Sequence, residues 1–131
     1  MPLPDTIRVL TFNIRYGAAD DGPQRWALRK RLALDRIRHA APDLTGLQEC
    51  YDDAQARFVR RQLPAYRFHG TRRDPSWDIE MAPLLVRRAA FDWITGGHFW
   101  LSRTPAVVGS KNWGSAFART ASWAEIGRAH V

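Results

Sequence analysis

Apolar and polar positions along this chain change rhythm several times, and each change marks an element. Residues 7–14 read as a strand, with Val9 and Thr11 on one face and Leu10 and Phe12 on the other. Apolar side chains on both faces predict a central strand covered on both sides. A loop follows from Gly17 to Gly22. Asp21-Gly22-Pro23 then signals a helix start, with Pro at an early helical position. The predicted helix runs from about Gln24 to Ala40. Trp26, Ala33, Ile37 and Ala40 form its inner stripe, widened by Leu28, Leu32 and Leu34. Pro42 stops the helix and leads into a second strand at 43–49. A second helix is expected at 52–63, with Ala56, Val59 and Leu63 inside and Pro64 at its end. Beyond it the pattern predicts a short strand at 66–69 and a polar loop at 72–78. Strands at 81–87 and 91–101 flank a turn at Arg88 and Ala89. Gly96-Gly97 suggests a bulge or bend in the second of these. After a long loop from Thr104 to Gly114, a last strand begins at about 117. The fold class is α/β, without internal repeats.

Strand, helix and strand in succession predict a parallel pair joined by a crossover. That connection brings Asn13 and Glu49 to the same rim of one sheet, at the carboxyl ends of the strands, where α/β folds bind ligands. The second strand, Asp43-Leu44-Thr45-Gly46-Leu47-Gln48-Glu49, ends on a carboxylate that packing does not need. Taken singly, Asn13 reads as a strand-end or turn residue and Glu49 as a solvated terminus. Their pairing across a crossover is what points to a site.

Composition adds less. The chain has 131 residues, 45% of them apolar, enough for one domain with a core. Its net charge of +7 fits a polyanionic partner such as nucleic acid, a phospholipid surface or a phosphorylated metabolite. The Arg residues are spread along the chain, however, as a genome rich in Arg codons would also produce. The alternative function that this charge supports is a non-catalytic, basic nucleic-acid-binding module. The single cysteine, Cys50, allows no intrachain disulfide and reads as a small buried packing residue. Met1-Pro2-Leu3-Pro4-Asp5 has no signal-peptide pattern and no apolar run is long enough to span a membrane, so a cytoplasmic location is expected. His39, His69 and His98 show no ligand spacing. Trp93, Trp100, Trp113 and Trp123 read as packing residues.

Three stretches together resemble the endonuclease/exonuclease/phosphatase superfamily, and a later one, from Phe99, resembles a bacterial subgroup of it. They are Leu10-Thr11-Phe12-Asn13-Ile14-Arg15, Trp26 with Arg29, and the Asp43–Glu49 segment. Phe99-Trp100-Leu101-Ser102-Arg103-Thr104-Pro105, with Gly109-Ser110-Lys111 and Trp113, strengthens the resemblance. It implies a four-layer α/β sandwich, two facing mixed sheets flanked by helices, of which this chain is the N-terminal portion. It also implies magnesium-dependent (or manganese-dependent) hydrolysis of a phosphodiester or phosphomonoester by in-line attack of water. Glu49 would hold the cation, with Asn13 beside it and Glu80 as a further candidate ligand. Arg119, in Phe117-Ala118-Arg119-Thr120, matches a family arginine that would face the phosphate. A guanidinium fork suits a tetrahedral oxyanion. The substrate would be a phosphate ester of nucleic acid, lipid or sugar. No obligate protein partner is expected.

The departures are as informative. The superfamily's water-activating Asp lies in a Gly-Asp-Phe-Asn-like motif, its phosphate-binding His in an Asn-Thr-His-like strand, and a final Asp-His pair orients both. None of these three motifs stands in this chain, so the chain by itself is expected to be inactive. Residues 125–131, Glu-Ile-Gly-Arg-Ala-His-Val, equal the translation of a common sequencing-adapter read. The expected organisation is therefore a partial domain over 1–124 and a non-native tail over 125–131. Such a truncated domain should leave apolar faces and strand edges open.

Overall fold

The computed structural model describes residues 6–129. The segment 1–5, read as lacking a leader, and His130 of the expected tail lie outside the described residues. Eight strands and two helices run in the order β1 (Val9–Asn13), α1 (Trp26–Ala40), β2 (Leu44–Gln48), β3 (Cys50–Tyr51), α2 (Ala54–Gln62), β4 (Tyr66–His69), β5 (Glu80–Met81), β6 (Leu84–Arg87), β7 (Phe91–Trp100) and β8 (Thr120–Arg128). The class is mixed α/β. One four-stranded sheet has the order β1-β2-β6-β4. Within it β1 and β2 are parallel, joined through α1, and β6 is antiparallel to both β2 and β4. Strands β3 and β5 form a small antiparallel pair, and β7 and β8 a long hairpin-like ribbon.

One side of the four-stranded sheet carries the core. Ile14, Leu47, Cys50, Met81 and Leu85 meet Trp26, Ala33, Leu34 and Ile37 of α1 and Ala56 and Val59 of α2. Residues spaced three and four apart on each helix face the sheet, as amphipathic helices require. Asp53 caps α2, its side chain accepting from the Gln55 N–H at 2.9 Å. Helix α1 ends where Ala41 takes a left-handed conformation, φ 46°. Arg87 of β6 then donates from Nη2 to the carbonyls of Ala41 and Pro42, at 2.6 and 2.8 Å, and locks this corner.

Several expectations are corrected. Strand β1 is not central but lies at the sheet edge, and its burial alternates, with Val9 69% exposed. Helices cover one face only, so Leu10 and Phe12 pack on the core while Val9 and Thr11 look away from it. The inner stripe of α1 is also narrower than predicted. Leu28 and Leu32 are exposed, because the two helices pack around Leu34 and Ile37 and leave no second layer over that flank. Asp21-Gly22-Pro23 begins a 3₁₀ turn, Gly22–Gln24, rather than the α-helix itself. The strand expected at 81–87 splits into β5 and β6, because Pro83 cannot donate to a ladder.

In the β7–β8 ribbon the register shifts between Trp93 and Thr95, ahead of the glycine pair. The glycines answer a different need. A Cβ on Gly96 would lie 2.4 Å from the Trp93 ring, and one on Gly97 would press on the Trp123 indole at 3.0 Å. Strand β8 continues through Ile126, paired with Trp93, to Arg128, paired with Phe91. The ribbon docks on the sheet through polar contacts: Ser122 donates to the Ala82 carbonyl at 2.6 Å, and His69 bonds the Gly97 carbonyl at 3.2 Å. His98 stacks on His69 with ring centroids 4.3 Å apart. Burial, and then the neighbouring His69, hold the His98 imidazole below its usual pKa.

Leu34 is fully buried, whereas Leu32, on the same helix, is 59% exposed. Leu34→Ala should destabilise the chain by about 2–5 kcal/mol, and Leu32→Ala by less than about 0.5 kcal/mol. Urea titration of the two variants, followed by far-UV circular dichroism, checks this; equal losses would contradict the one-sided core.

Candidate metal and phosphate site

Strands β1 and β2 pair so that Asn13 lies opposite Gln48. The next residue, Glu49, breaks the strand with φ 58°, a left-handed conformation that residues other than glycine seldom adopt. This kink separates β2 from β3 and turns the Glu49 carboxylate back over the end of β1. There it is held twice. Asn13 Nδ2 donates to Oε1 at 3.2 Å, and the Tyr16 backbone N–H donates to Oε2 at 3.3 Å. The Asn13 Oδ1 in turn accepts the Arg15 N–H at 2.9 Å. Asn13 thus braces both the carboxylate and the turn that follows β1.

The turn over residues 15–17 is itself clamped. Gln55 of α2 is 2% exposed, and its Oε1 accepts the N–H groups of Gly17 and Tyr51, both at 2.9 Å. Its Nε2 donates to the Arg15 carbonyl at 2.9 Å. From the other side Arg29 of α1 donates from Nη2 to the Ile14 carbonyl at 2.7 Å. Arg15 also has a positive φ, 61°, so two left-handed residues flank the site. Strain of this kind persists where the surroundings over-determine the backbone, and it clusters at functional sites.

Glu80, at the start of β5, faces the same space as Glu49. It is bound by Arg73, whose Nη1 lies 2.6 Å from its Oε2. Arg73 Nε also reaches Asp78 Oδ2 at 2.9 Å, and all three side chains are largely buried. A single guanidinium thus serves two carboxylates. Burial raises the Glu80 pKa above the usual value; Arg73 opposes the rise, and the charge of Glu49 adds to it. Trp100 fixes the Arg73 backbone by donating from Nε1 to its carbonyl at 2.8 Å. Arg119, just before β8, is exposed and lines the same space as Glu49 and Glu80.

Two adjoining clefts result. One, of about 330 Å³, lies among Asn13, Glu49, Arg73, Glu80, Arg119 and Thr120. The other, of about 580 Å³, runs from Glu49 and Glu80 past Tyr16 and Tyr51 to Trp77 and Phe117. All four residues expected from the sequence, Asn13, Glu49, Glu80 and Arg119, therefore border one continuous space. Sequence reasoning missed Arg73, Asp78 and Gln55. Gln55 carries no motif signal, being one polar residue in a helix start. Arg73 had a weak one, an Arg pair in a polar loop shortly before Glu80. Cys50, adjacent to Glu49, is fully buried, and burial pushes its thiol up to about 12. It is a packing residue without thiolate character.

Among the described residues no group of three or more His, Cys, Asp or Glu side chains forms a ready cage for a metal ion. The donors facing the cleft are nonetheless hard oxygens, from Glu49, Glu80 and the Asn13 amide. Magnesium keeps several waters and takes one or two protein carboxylates, so this set fits it. A thiolate-seeking metal would find nothing here, since Cys50 points into the core.

Carboxylates held in place thus line a mixed sheet edge, with an exposed arginine beside them. The chain belongs to the endonuclease/exonuclease/phosphatase family, whose model matches residues 10–128. Among solved structures it is similar to an endonuclease/exonuclease/phosphatase from Bacteroides vulgatus, with 32% identity and a TM-score of 0.87 over 93% of this chain and 47% of that one. It is also similar to the mannosyl-6-phosphatase Bt3783 of Bacteroides thetaiotaomicron, with 29% identity and a TM-score of 0.85 over 94% and 46% of the two chains. The human Nocturnin catalytic domain shares the fold at 23% identity, with a TM-score of 0.59 over 79% of this chain and 42% of that one. The chain thus spans about half the length of these structures. No curated protein sequence matches it.

Glu80 shares this cleft with Glu49 and feels its charge. The Glu80 carboxyl should titrate above the ordinary 4.5, and Glu49→Gln should lower its midpoint. With a raised folded-state pKa, Glu80 contributes stability that is complete below the unfolded value and is lost as pH rises through the folded one. Carbon-13 NMR of the side-chain carboxyls reads the Glu80 midpoint with and without the Glu49→Gln substitution. A Glu80 midpoint at or below 4.5 would contradict the burial.

Proposed function

We propose that this chain carries the cation-binding and phosphate-binding side of a magnesium-dependent phosphoesterase. The observation that supports it most is the double grip on Glu49, by Asn13 and by the Tyr16 N–H, at the rim where parallel strands end. Glu49 would hold the cation, with Glu80 as the second carboxylate. Asn13 keeps the Glu49 carboxylate turned into the cleft. Magnesium would supply charge neutralisation at the phosphoryl oxygens. Arg119, exposed at the cleft, would pair with the phosphate oxygens through its guanidinium fork. Arg73 is committed to Asp78 and Glu80 and so sets the charge of the floor rather than gripping substrate.

The kinship with a mannosyl-6-phosphatase supports a phosphomonoester as substrate, without excluding a diester. Hydrolysis also needs a base to take a proton from water. Glu80 is tied to Arg73 and Glu49 is given to the cation, so neither serves. We infer that the chain binds metal and phosphate but does not turn over.

The test is calorimetric. Inorganic phosphate should bind only when magnesium is present, and Glu49→Ala should weaken that binding by at least about tenfold, the loss of a charge-assisted contact. Arg119→Ala should weaken phosphate binding but leave magnesium binding in place. Phosphate binding that ignores both magnesium and Glu49 would refute the assignment. Metal-dependent hydrolysis by the 131-residue chain, lost in Glu49→Ala, would refute the absence of a base.

A further inference from the structure

The wall that carries Glu80 is held from outside the cleft. Arg73 and Asp74 open the turn that leads to Glu80. Asp74 and Asp78 exchange backbone hydrogen bonds, at 3.1 and 3.0 Å, and the Arg73 N–H donates to the Glu80 carbonyl at 2.9 Å. The Asp74 carboxylate closes this turn. Its Oδ1 accepts the Ser76 N–H at 3.0 Å and the Ser76 hydroxyl at 2.6 Å, so the side chain is not free to swing. A push on Asp74 is therefore passed to Arg73, and from Arg73 to the Asp78 and Glu80 carboxylates that it holds.

The connection between β7 and β8 meets this turn at Arg73 and again at Asp74. The Trp100 indole donates to the Arg73 carbonyl. Gly109, which lines neither cleft, backs onto Asp74. Its φ is 75°, and a Cβ there would lie 3.2 Å from Asp74 Oδ2, 3.5 Å from its Cγ and 4.0 Å from the Arg73 carbonyl oxygen. The loop is poorly able to give way, because hydroxyl groups tie it to itself beside Gly109. Ser110 Oγ donates to the Thr104 carbonyl at 3.0 Å and so accepts from Ser102 Oγ at 2.7 Å. Ser102 Oγ in turn accepts the Thr104 N–H at 3.0 Å. We propose that Gly109 is a positioning residue for the second carboxylate. The loop backbone, bare at Gly109, is set against Asp74 and fixes where Arg73, and through it Glu80, stands beside Glu49. This rests on the phosphoesterase reading, in which Glu80 is that carboxylate, and adds a residue that acts on it through Asp74.

Gly114 supplies the control. It lies in the same connection with φ 73°, and a Cβ on it would meet nothing within 4 Å among the described residues. Alanine at either position carries the same left-handed backbone penalty, so both variants should lower the urea midpoint alike. Only Gly109→Ala should weaken magnesium binding, by about fivefold or more, in titration calorimetry of the whole chain. Only Gly109→Ala should also shift the Arg73 Nε–H signal in nitrogen-15 NMR, since that proton is donated to Asp78. Adding Asp74→Ser to Gly109→Ala removes the crowded Oδ2 and keeps an oxygen for the Ser76 N–H. Magnesium affinity should then return to within about twofold of the unaltered chain. Equal losses of magnesium affinity in the two alanine variants, an unmoved Arg73 signal, or no recovery with Asp74→Ser would overturn the role of Gly109 and leave the phosphoesterase reading standing. An unaltered chain that binds no magnesium, with the Arg73 signal still shifted by Gly109→Ala alone, would overturn the phosphoesterase reading and leave the hold on Arg73 standing.

Discussion

One strained residue organises this site. A glutamate at φ 58° would not hold that backbone in isolation, and here the strand pairing before it and the β3 pairing after it leave no alternative. The kink has a chemical consequence. Had β2 run straight on, its next side chain would have pointed to one sheet face or the other. Turned left-handed, the carboxylate lies over the neighbouring strand end, within reach of Asn13 and of the Tyr16 N–H. The carboxylate is thereby pre-set, whereas a free Glu side chain would have to be ordered at an entropy cost before it could make any contact.

The clamp around it is built in layers. Gln55 bonds three backbone groups of two different segments, the 15–17 turn and Tyr51. It is buried and lines neither cleft, so it functions as a strut. Arg29 does the same from α1. The helices therefore do more than cover a sheet face: each sends one polar side chain to fix the turn on which Tyr16 rides. Arg73 plays the corresponding part on the far wall, where it holds Asp78 and Glu80 and is fixed by Trp100 of β7. Through that indole the ribbon and the site are mechanically joined. A buried pair of carboxylates around one guanidinium leaves a residual negative charge, which favours a cation in the adjoining cleft.

Much of this was legible in the sequence where local patterns are strong. The strand–helix–strand unit, the convergence of Asn13 and Glu49, and the C-terminal ends of α1 and α2 follow from periodicity and from Pro42 and Pro64. The errors have physical causes. Strand β1 carries Val9 and Phe12 on opposite faces, which reads as double burial; nothing in five residues tells that one face meets no helix. Leu28 and Leu32 fit the helical stripe, but the width of a stripe depends on what packs opposite. Residues 81–87 looked continuous because Pro83 was outweighed by the apolar run around it. Gln55 and Arg73 were invisible for another reason. Their roles consist of bonds to segments 5 to 40 residues away, and single-sequence patterns hold no record of such distances.

Sheet and loops divide the labour at this site. Asn13 and Glu49 sit at strand ends whose register is set by backbone hydrogen bonds, so their geometry follows from the fold itself. Trp77 and Arg119 stand on connecting segments, one between β4 and β5, the other ahead of β8. Such segments vary without disturbing the sheet. A lineage can therefore keep the Asn13–Glu49 pair and exchange one wall of the cleft for another. The wall that carries Trp77 and Phe117 is thus built on segments open to change, whereas the rim that carries Asn13 and Glu49 is held by the sheet.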